Sequence, residues 1–135
     1  MPIHFFVDPQ LQLVRATYVG VITLVDLAVH VHRLVDAGLL QRPRLIDARH
    51  AMLQLSHEDV RIMAELMKTL REQHGSAPVA FVSNDEPSYE VAEAYQHLGA
   101  GANPEFAAFP GVEAAEAWLE LLGVRSRREP RLLLL

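Results

Sequence analysis

The segment from Arg44 to Val60, RLIDARHAMLQLSHEDV, constrains the fold of this chain more than any other stretch. Its first four residues predict a buried strand that ends in the carboxylate of Asp47, followed by a short polar crossing. Ser56 is then placed to cap a long helix, with Asp59 three positions later beside the free amides of the first turn. A strand joined in this way to a capped helix is the repeating unit of an α/β sheet domain.

The rest of the chain repeats this unit. β-Branched and aromatic residues predict a two-stranded hairpin, and helical spacing of apolar residues predicts helices after the caps Thr23 and Ser56, near Ser88 and after Gly111. The predicted strands are 3–7, 11–21, 44–47, 79–82 and 105–109. In the last helix, the residues predicted to face the core are Ala114, Ala115, Trp118, Leu119 and Leu122. The resulting order, β-β-α-β-α-β-α-β-α, predicts an α/β fold with a mostly parallel sheet and helices packed on it.

Charge divides the chain into a domain at residues 1–122 and a basic, leucine-ended tail at residues 123–135. The tail carries four Arg and one Glu, or +3, so a net charge of −5 leaves −8 on the domain. An acidic domain argues against nucleic-acid binding, which needs clustered Lys and Arg. No apolar run is long enough for a membrane span, and the first residues do not resemble a signal peptide. The predicted location is therefore the cytoplasm.

No catalytic motif stands out. The chain of 135 residues has no cysteine, no Gly-x-Ser-x-Gly, no glycine-rich phosphate loop and no His-Glu-x-x-His. His30 and His32 are two apart, so on a helix they point in different directions and cannot share one metal ion. Asp47 with His50 and His57 could perform acid–base chemistry only if they lay within hydrogen-bonding reach. The sequence thus predicts no catalytic residue, no cofactor and no metal site.

A ligand crevice is a further possibility, because such crevices form beyond the carboxyl ends of parallel strands. One strand end would present Asp47, Arg49 and His50. Its neighbour would present Ser83, Asn84 and Asp85, and either Asp85 or Glu86 could cap the third helix. A small polar or lipid-like ligand would fit such a crevice. Alternatively, Asp47 simply accepts hydrogen bonds from loop amides.

Several of these segments together resemble the SpoIIAA-like proteins of the STAS superfamily, small bacterial domains often described as STAS/SEC14-like. The resemblance rests on GVIT after the hairpin, the strand LID, the Ser-capped helix, the strand VAFV and the closing Ala115-x-x-Trp118-Leu119. It implies a fold over about residues 3–122 and, for some relatives, a switch by phosphorylation of a serine near the position of Ser56. This chain has Gln54-Leu55-Ser56-His57 where those relatives have Asp-Ser-Ser-Gly, so a plain helix cap is the simpler interpretation of Ser56.

The function predicted from the sequence is that of a non-enzymatic, STAS-like protein-interaction or regulatory module. The alternative is a domain that binds a small molecule or a lipid, as the SEC14-like description of relatives implies. The sequence does not identify the protein partner. A homodimer is possible, and an apolar patch that included Leu132–Leu135 would favour self-association.

Overall fold

The computed structural model describes residues 2–98 and 105–124, which form a five-stranded sheet and four helices. The elements are β1 Ile3–Asp8, β2 Leu13–Ile22, α1 Leu24–Asp36, β3 Arg44–Leu53, α2 His57–His74, β4 Val79–Val82, α3 Glu86–His97, β5 Phe106–Phe109 and α4 Val112–Leu121. β1 pairs antiparallel with β2, and all other pairs are parallel. The predicted α/β class, element order and mostly parallel sheet are confirmed. Residues 125–135, and with them Leu132–Leu135, lie outside the described residues.

β3 is much longer than predicted. It continues past Asp47 to Leu53, so the predicted polar crossing after residue 47 is wrong. The reason is β2, whose ten residues offer a backbone partner far beyond the point where β4 ends: Asp47 is opposite Val82, but Leu53 is still opposite Ile22. Between the pairs Thr17–Asp47 and Val19–His50, β3 contains one residue more than β2. This bulge leaves both Arg49 and His50 exposed.

The two faces of the sheet are covered unequally. One face packs against α1, α2 and α3 and holds most of the buried apolar side chains, among them Leu34, Met63 and Phe81. Among the described residues, α4 alone covers the other face, through Ala115 and Leu119 against strands β2, β3 and β4. The sheet follows the order of the chain, β1-β2-β3-β4-β5. One helix cannot cover five strands, so part of the second face stays open to solvent.

The predicted inward face of α4 is only partly correct. Ala115 and Leu119 are fully buried, and they lie one helical turn apart on the same face. Ala114, one position away, is exposed. Leu122 follows the last helical residue and is 48% exposed, because the chain has already left the helical path. Trp118 is half-buried and packs its ring against Phe109.

Candidate functional site

Asp47 and Arg49 form an ion pair on the face of the sheet that α4 leaves open. The Asp47 carboxylate accepts hydrogen bonds from the Arg49 Nε and Nη2 at 2.9 and 2.8 Å and from the Arg49 amide at 3.1 Å. The side-chain bond from Arg49 is the largest cause of a lowered pKa at Asp47. Within the described ranges, Asp47 makes no hydrogen bond to His50 or His57. The arrangement that acid–base chemistry would need is therefore not formed between these side chains.

The second group of the predicted crevice builds the turn into α3. Ser83 is buried, and its hydroxyl accepts a hydrogen bond from the Asp85 amide at 3.2 Å. Asp85 is the N-cap residue of α3, and its carboxylate accepts from the amide and the hydroxyl of Ser88 at 3.1 and 2.6 Å. Asn84 is exposed. Asp47 is opposite Val82, which precedes this turn, but the hydrogen bonds of both groups are local, and ligand binding there stays a prediction.

Ser88 has a structural role that the sequence reasoning missed. It is fully buried, and its hydroxyl accepts a hydrogen bond from the Leu53 amide at 2.9 Å. Because Ser88 also donates to Asp85, the last residue of β3 is joined through one hydroxyl to the first turn of α3. The spacing Asp85-x-x-Ser88 is that of a cap and its partner, so the local bond could have been predicted, but the link to β3 could not.

Ser56 is the N-cap residue of α2 and forms a reciprocal capping box with Asp59. The Ser56 hydroxyl accepts from the Asp59 amide at 3.0 Å, and the Asp59 carboxylate accepts from the Ser56 amide at 3.1 Å. Ser56 is exposed, so a kinase could reach its hydroxyl. A phosphate there would nevertheless sit beside the negative charge of Asp59, which weakens the attraction of the helix N-terminus for it. Phosphorylation of Ser56 stays a prediction.

A cavity of about 90 Å³ lies between the sheet and helices α1, α2 and α3. Its wall is mostly apolar and includes Met63 and Met67 from α2 and Ala92 from α3. Four polar side chains also line it: Tyr18, His30, Arg44 and Tyr95. A mostly apolar cavity with a few converging polar groups is the usual form of a small-molecule site. None of the six predicted crevice residues lines it.

His30 projects from α1 into this cavity wall. It is 4% exposed, and its ring meets the rings of Phe5 and Tyr18 edge-on at 5.5 and 6.0 Å between centroids. Burial, together with the positive charges of Arg44 and Arg33, lowers the pKa of His30 to about 4. The imidazole is therefore neutral at pH 7. Within the described residues, its Nε2 atom has no hydrogen-bond partner.

Arg44, the first residue of β3, is the charged group of the cavity. Only 7% of it is exposed, and it lies between Val14 of β2 and Val79 of β4 in the sheet. Its Nη1 donates to the Leu40 carbonyl at 3.4 Å, a weak bond by length, and its Nε has no partner among the described residues. Burial lowers the pKa of Arg44, and the nearby phenols of Tyr18 and Tyr95 raise it. Arg44 forms no ion pair with a described Asp or Glu.

The open face of the sheet carries exposed apolar side chains. Val21 and Met52 are opposite each other in β2 and β3 and are 49% and 57% exposed. Val19 lies two residues from Val21 on the same face, and Phe6 of β1 lies further along it. The ion pair of Asp47 and Arg49 borders this group. We call Phe6, Val19, Val21 and Met52 the open-face patch.

In residues 2–98 and 105–124, no three His, Asp or Glu side chains come together in a way that would hold a metal ion. None of the helices in this part of the chain combines the length and the apolar character that crossing a membrane requires.

These features define a protein with a SpoIIAA-like fold. The comparison that shows it is with a solved structure described as an uncharacterized protein from the DUF3478 family with a SpoIIAA-like fold, from Shewanella loihica PV-4. The two share 20% sequence identity with a TM-score of 0.56, over 87% of this chain and 93% of that chain. No protein-family model matches this chain, and no curated protein does. The resemblance predicted from the sequence is thus confirmed for the fold.

Proposed function

We propose that this protein is a non-enzymatic binding domain that takes a small, mainly apolar molecule into the cavity between the sheet and helices α1 to α3. The observation that carries the proposal is the cavity itself, with an apolar wall and four polar side chains on it. Protein interiors are normally packed so closely that spaces larger than a water molecule are few. A space of about 90 Å³ inside a domain of this size is therefore a candidate for occupation.

The wall of the cavity can adapt to ligands of different shapes. Met63 and Met67 contribute flexible thioether side chains, which adapt to irregular partners more easily than branched side chains do. Leu53 and Leu55 also line the cavity and are only half-buried. Val91 and Tyr95 of α3, which also line the cavity, are half-buried as well, so the cavity approaches solvent between the end of β3 and α3. We place the entry route of the ligand at these two leucines.

Methyl NMR tests the proposal directly, because the methionines report on different parts of the fold. Met63 and Met67 line the cavity, whereas Met52 lies on the opposite face of the sheet. In protein labelled with ¹³C at the methionine methyls, titration with 1-butanol is expected to shift the Met63 and Met67 signals and to leave the Met52 signal in place. Native mass spectrometry of freshly purified protein would show whether a ligand is carried from the cell.

A matched pair of variants controls for non-specific effects. Ala92→Leu adds side-chain volume inside the cavity, and Ala114→Leu adds the same volume at an exposed position on α4. Ala92→Leu should abolish the butanol-induced shifts, and Ala114→Leu should preserve them. The proposal is wrong if no methionine responds in the unaltered protein, or if Met52 responds as strongly as Met63 and Met67.

A second candidate function, docking of a protein partner, is favoured by the open-face patch. Its four apolar side chains are between 48% and 57% exposed, although they lie on a sheet, where such residues are usually covered. The simplest partner is a second copy of this chain, since an apolar patch is complementary to itself about a two-fold axis. This agrees with the homodimer predicted as possible from the sequence.

Sedimentation velocity tests this second function, because it measures whether the chain forms dimers. If the patch mediates dimerisation, the unaltered chain should form dimers at micromolar concentration and Met52→Asp should be monomeric. Ile62→Asp places the same charge at an exposed apolar position on α2, in the opposite layer, and should leave the dimer intact. A monomer at every concentration, or equal loss in both variants, would speak against self-association through this face.

A further inference from the structure

The cavity contains the positive charge of Arg44, and no Asp or Glu among the described residues forms an ion pair with it. Arg44 is more than nine-tenths buried, lines the cavity, and makes one long hydrogen bond to a carbonyl. A guanidinium has five N–H donors and keeps its proton in proteins. Buried charges are normally paired or fully hydrogen-bonded, because removing an ion from water is costly. Among the described residues, Arg44 therefore has no negatively charged partner, although a buried charge normally has one.

The other polar groups of the cavity do not supply a negative charge. Tyr18 is buried, which raises its pKa well above the ordinary value, so its phenol is uncharged at neutral pH. His30 is neutral as well, since its pKa lies far below 7. No Asp or Glu is among the described residues that line the cavity. Within residues 2–98 and 105–124, no side chain of the cavity supplies a negative charge beside Arg44, and a bound anion would supply it.

We propose that the occupant of this cavity is a small carboxylate, with an apolar body of a few carbon atoms and its carboxylate group on Arg44. This inference rests on the proposed function, since it names the class of ligand that the same cavity takes. A guanidinium binds a carboxylate through two parallel N–H···O bonds, and the apolar wall covers the remainder of the ligand. A phosphate fits less well, because its higher charge and further oxygens would need more donors than one guanidinium and three weakly polar rings provide.

The volume of the cavity limits the length of the ligand. A water molecule takes up about 30 Å³ of liquid, and a cavity of roughly 150 Å³ accommodates benzene. The space of about 90 Å³ therefore suits a molecule of about four carbon atoms in total. Butyrate has this size and is ionised at neutral pH. Longer acids would require Met63 and Met67 to move, so affinity should fall with added length.

The test compares butyrate with butyramide, which has the same shape and number of heavy atoms but no charge. Both are titrated at pH 7.5 and constant ionic strength into methionine-labelled protein, with the Met63 and Met67 signals as the readout. We expect butyrate to bind at least tenfold more tightly than butyramide. In Arg44→Met this preference should disappear while butyramide still binds, and in Arg44→Lys a weaker preference should remain.

The outcomes distinguish the two proposals. Equal affinity of the unaltered protein for butyrate and butyramide would overturn the carboxylate inference and leave the apolar-ligand function standing. If neither compound, nor 1-butanol, shifts the Met63 and Met67 signals, the proposed function itself fails. Chloride displacing butyrate at equal concentration would show a general anion site and would also overturn the inference. The comparison in the unaltered protein does not depend on the variants, so it stands even if Arg44→Met does not fold.

Discussion

His30 makes the stability of this domain depend on pH in a way that can be calculated. Its pKa is about 4 in the folded protein, against an ordinary value of 6.5. Between these values the unfolded chain binds a proton that the folded protein does not, so the free energy of unfolding falls as the pH is lowered. The effect begins below pH 6.5 and is complete below pH 4. Linkage gives a loss of about 2 kcal/mol between pH 7.5 and pH 5.0 from this one group.

The assay is urea unfolding at these two pH values for three proteins: the unaltered chain, His30→Leu and His30→Gln. Each variant removes the titrating ring, one with an apolar and one with a polar side chain. Their stabilities at pH 7.5 will differ because they pack differently beside Phe5 and Tyr18. On acidification, the free energy of unfolding should nevertheless fall by the same amount in both variants, and by about 2 kcal/mol less than in the unaltered chain.

This comparison removes the contribution of the other titrating groups, since these are common to all three proteins. If the unaltered chain and both variants lose equal stability between pH 7.5 and 5.0, the folded protein must accept the proton on His30. The imidazole would then be solvated or paired, and the argument from burial and from the charge of Arg44 would be refuted.

Other predictions concern the framework around the site. Ser56→Ala removes the cap of α2 and should lower the free energy of unfolding by about 1 kcal/mol. Ser56→Asp keeps a hydrogen-bond acceptor and should lower it by less. Equal urea midpoints for Ser56→Ala and the unaltered chain would contradict the capping role. Ser88→Ala leaves the Leu53 amide without its acceptor and should cost about 1–3 kcal/mol, with faster hydrogen exchange at that amide as the specific sign. Leu119→Ala, at a fully buried position, should lower the free energy of unfolding by about 2–5 kcal/mol. Leu121→Ala, at a position 84% exposed, should change it by no more than about 0.5 kcal/mol. Similar losses in both variants would contradict the orientation of α4 described above.

The fold was predictable because each unit carries its own local signals. Thr23 and Ser56 each precede an Asp at the third helical position, and both form the capping boxes that this spacing indicates. The short apolar run VAFV is the fully buried strand β4. Such signals depend only on neighbouring residues, so they can be recognised without knowledge of tertiary contacts.

The end of β3 could not be read from local signals. Residues 48–53 contain Arg49 and His50 side by side, which breaks the alternation expected of a strand and suggests a loop. The pairing with β2, together with the one-residue bulge, keeps them in the sheet. Pairing of this kind is a property of two distant segments, and a single segment does not reveal it.

The polar residues of the cavity were missed for a different reason. His30 stands at the third position after Leu27 and the fourth before Leu34, so helical periodicity places it on the buried face of α1. From the sequence alone, His30 is considered only together with His32, as a pair that cannot share one metal ion, and this periodicity is not used. Arg44 belongs to the segment predicted as a buried strand, but no local signal shows which face of the sheet its side chain occupies. Only its register between Val14 and Val79 shows that the side chain lies inside.

The strand order explains why the cavity does not lie at the carboxyl ends of the strands. Crevices at those ends arise where the strand order reverses and successive helices pass to opposite faces. Here the strands follow the order of the chain, and the three helices that connect β2 to β5 all pack on one face. No reversal occurs among them, and the cavity at Arg44 lies between the sheet and this single layer of helices.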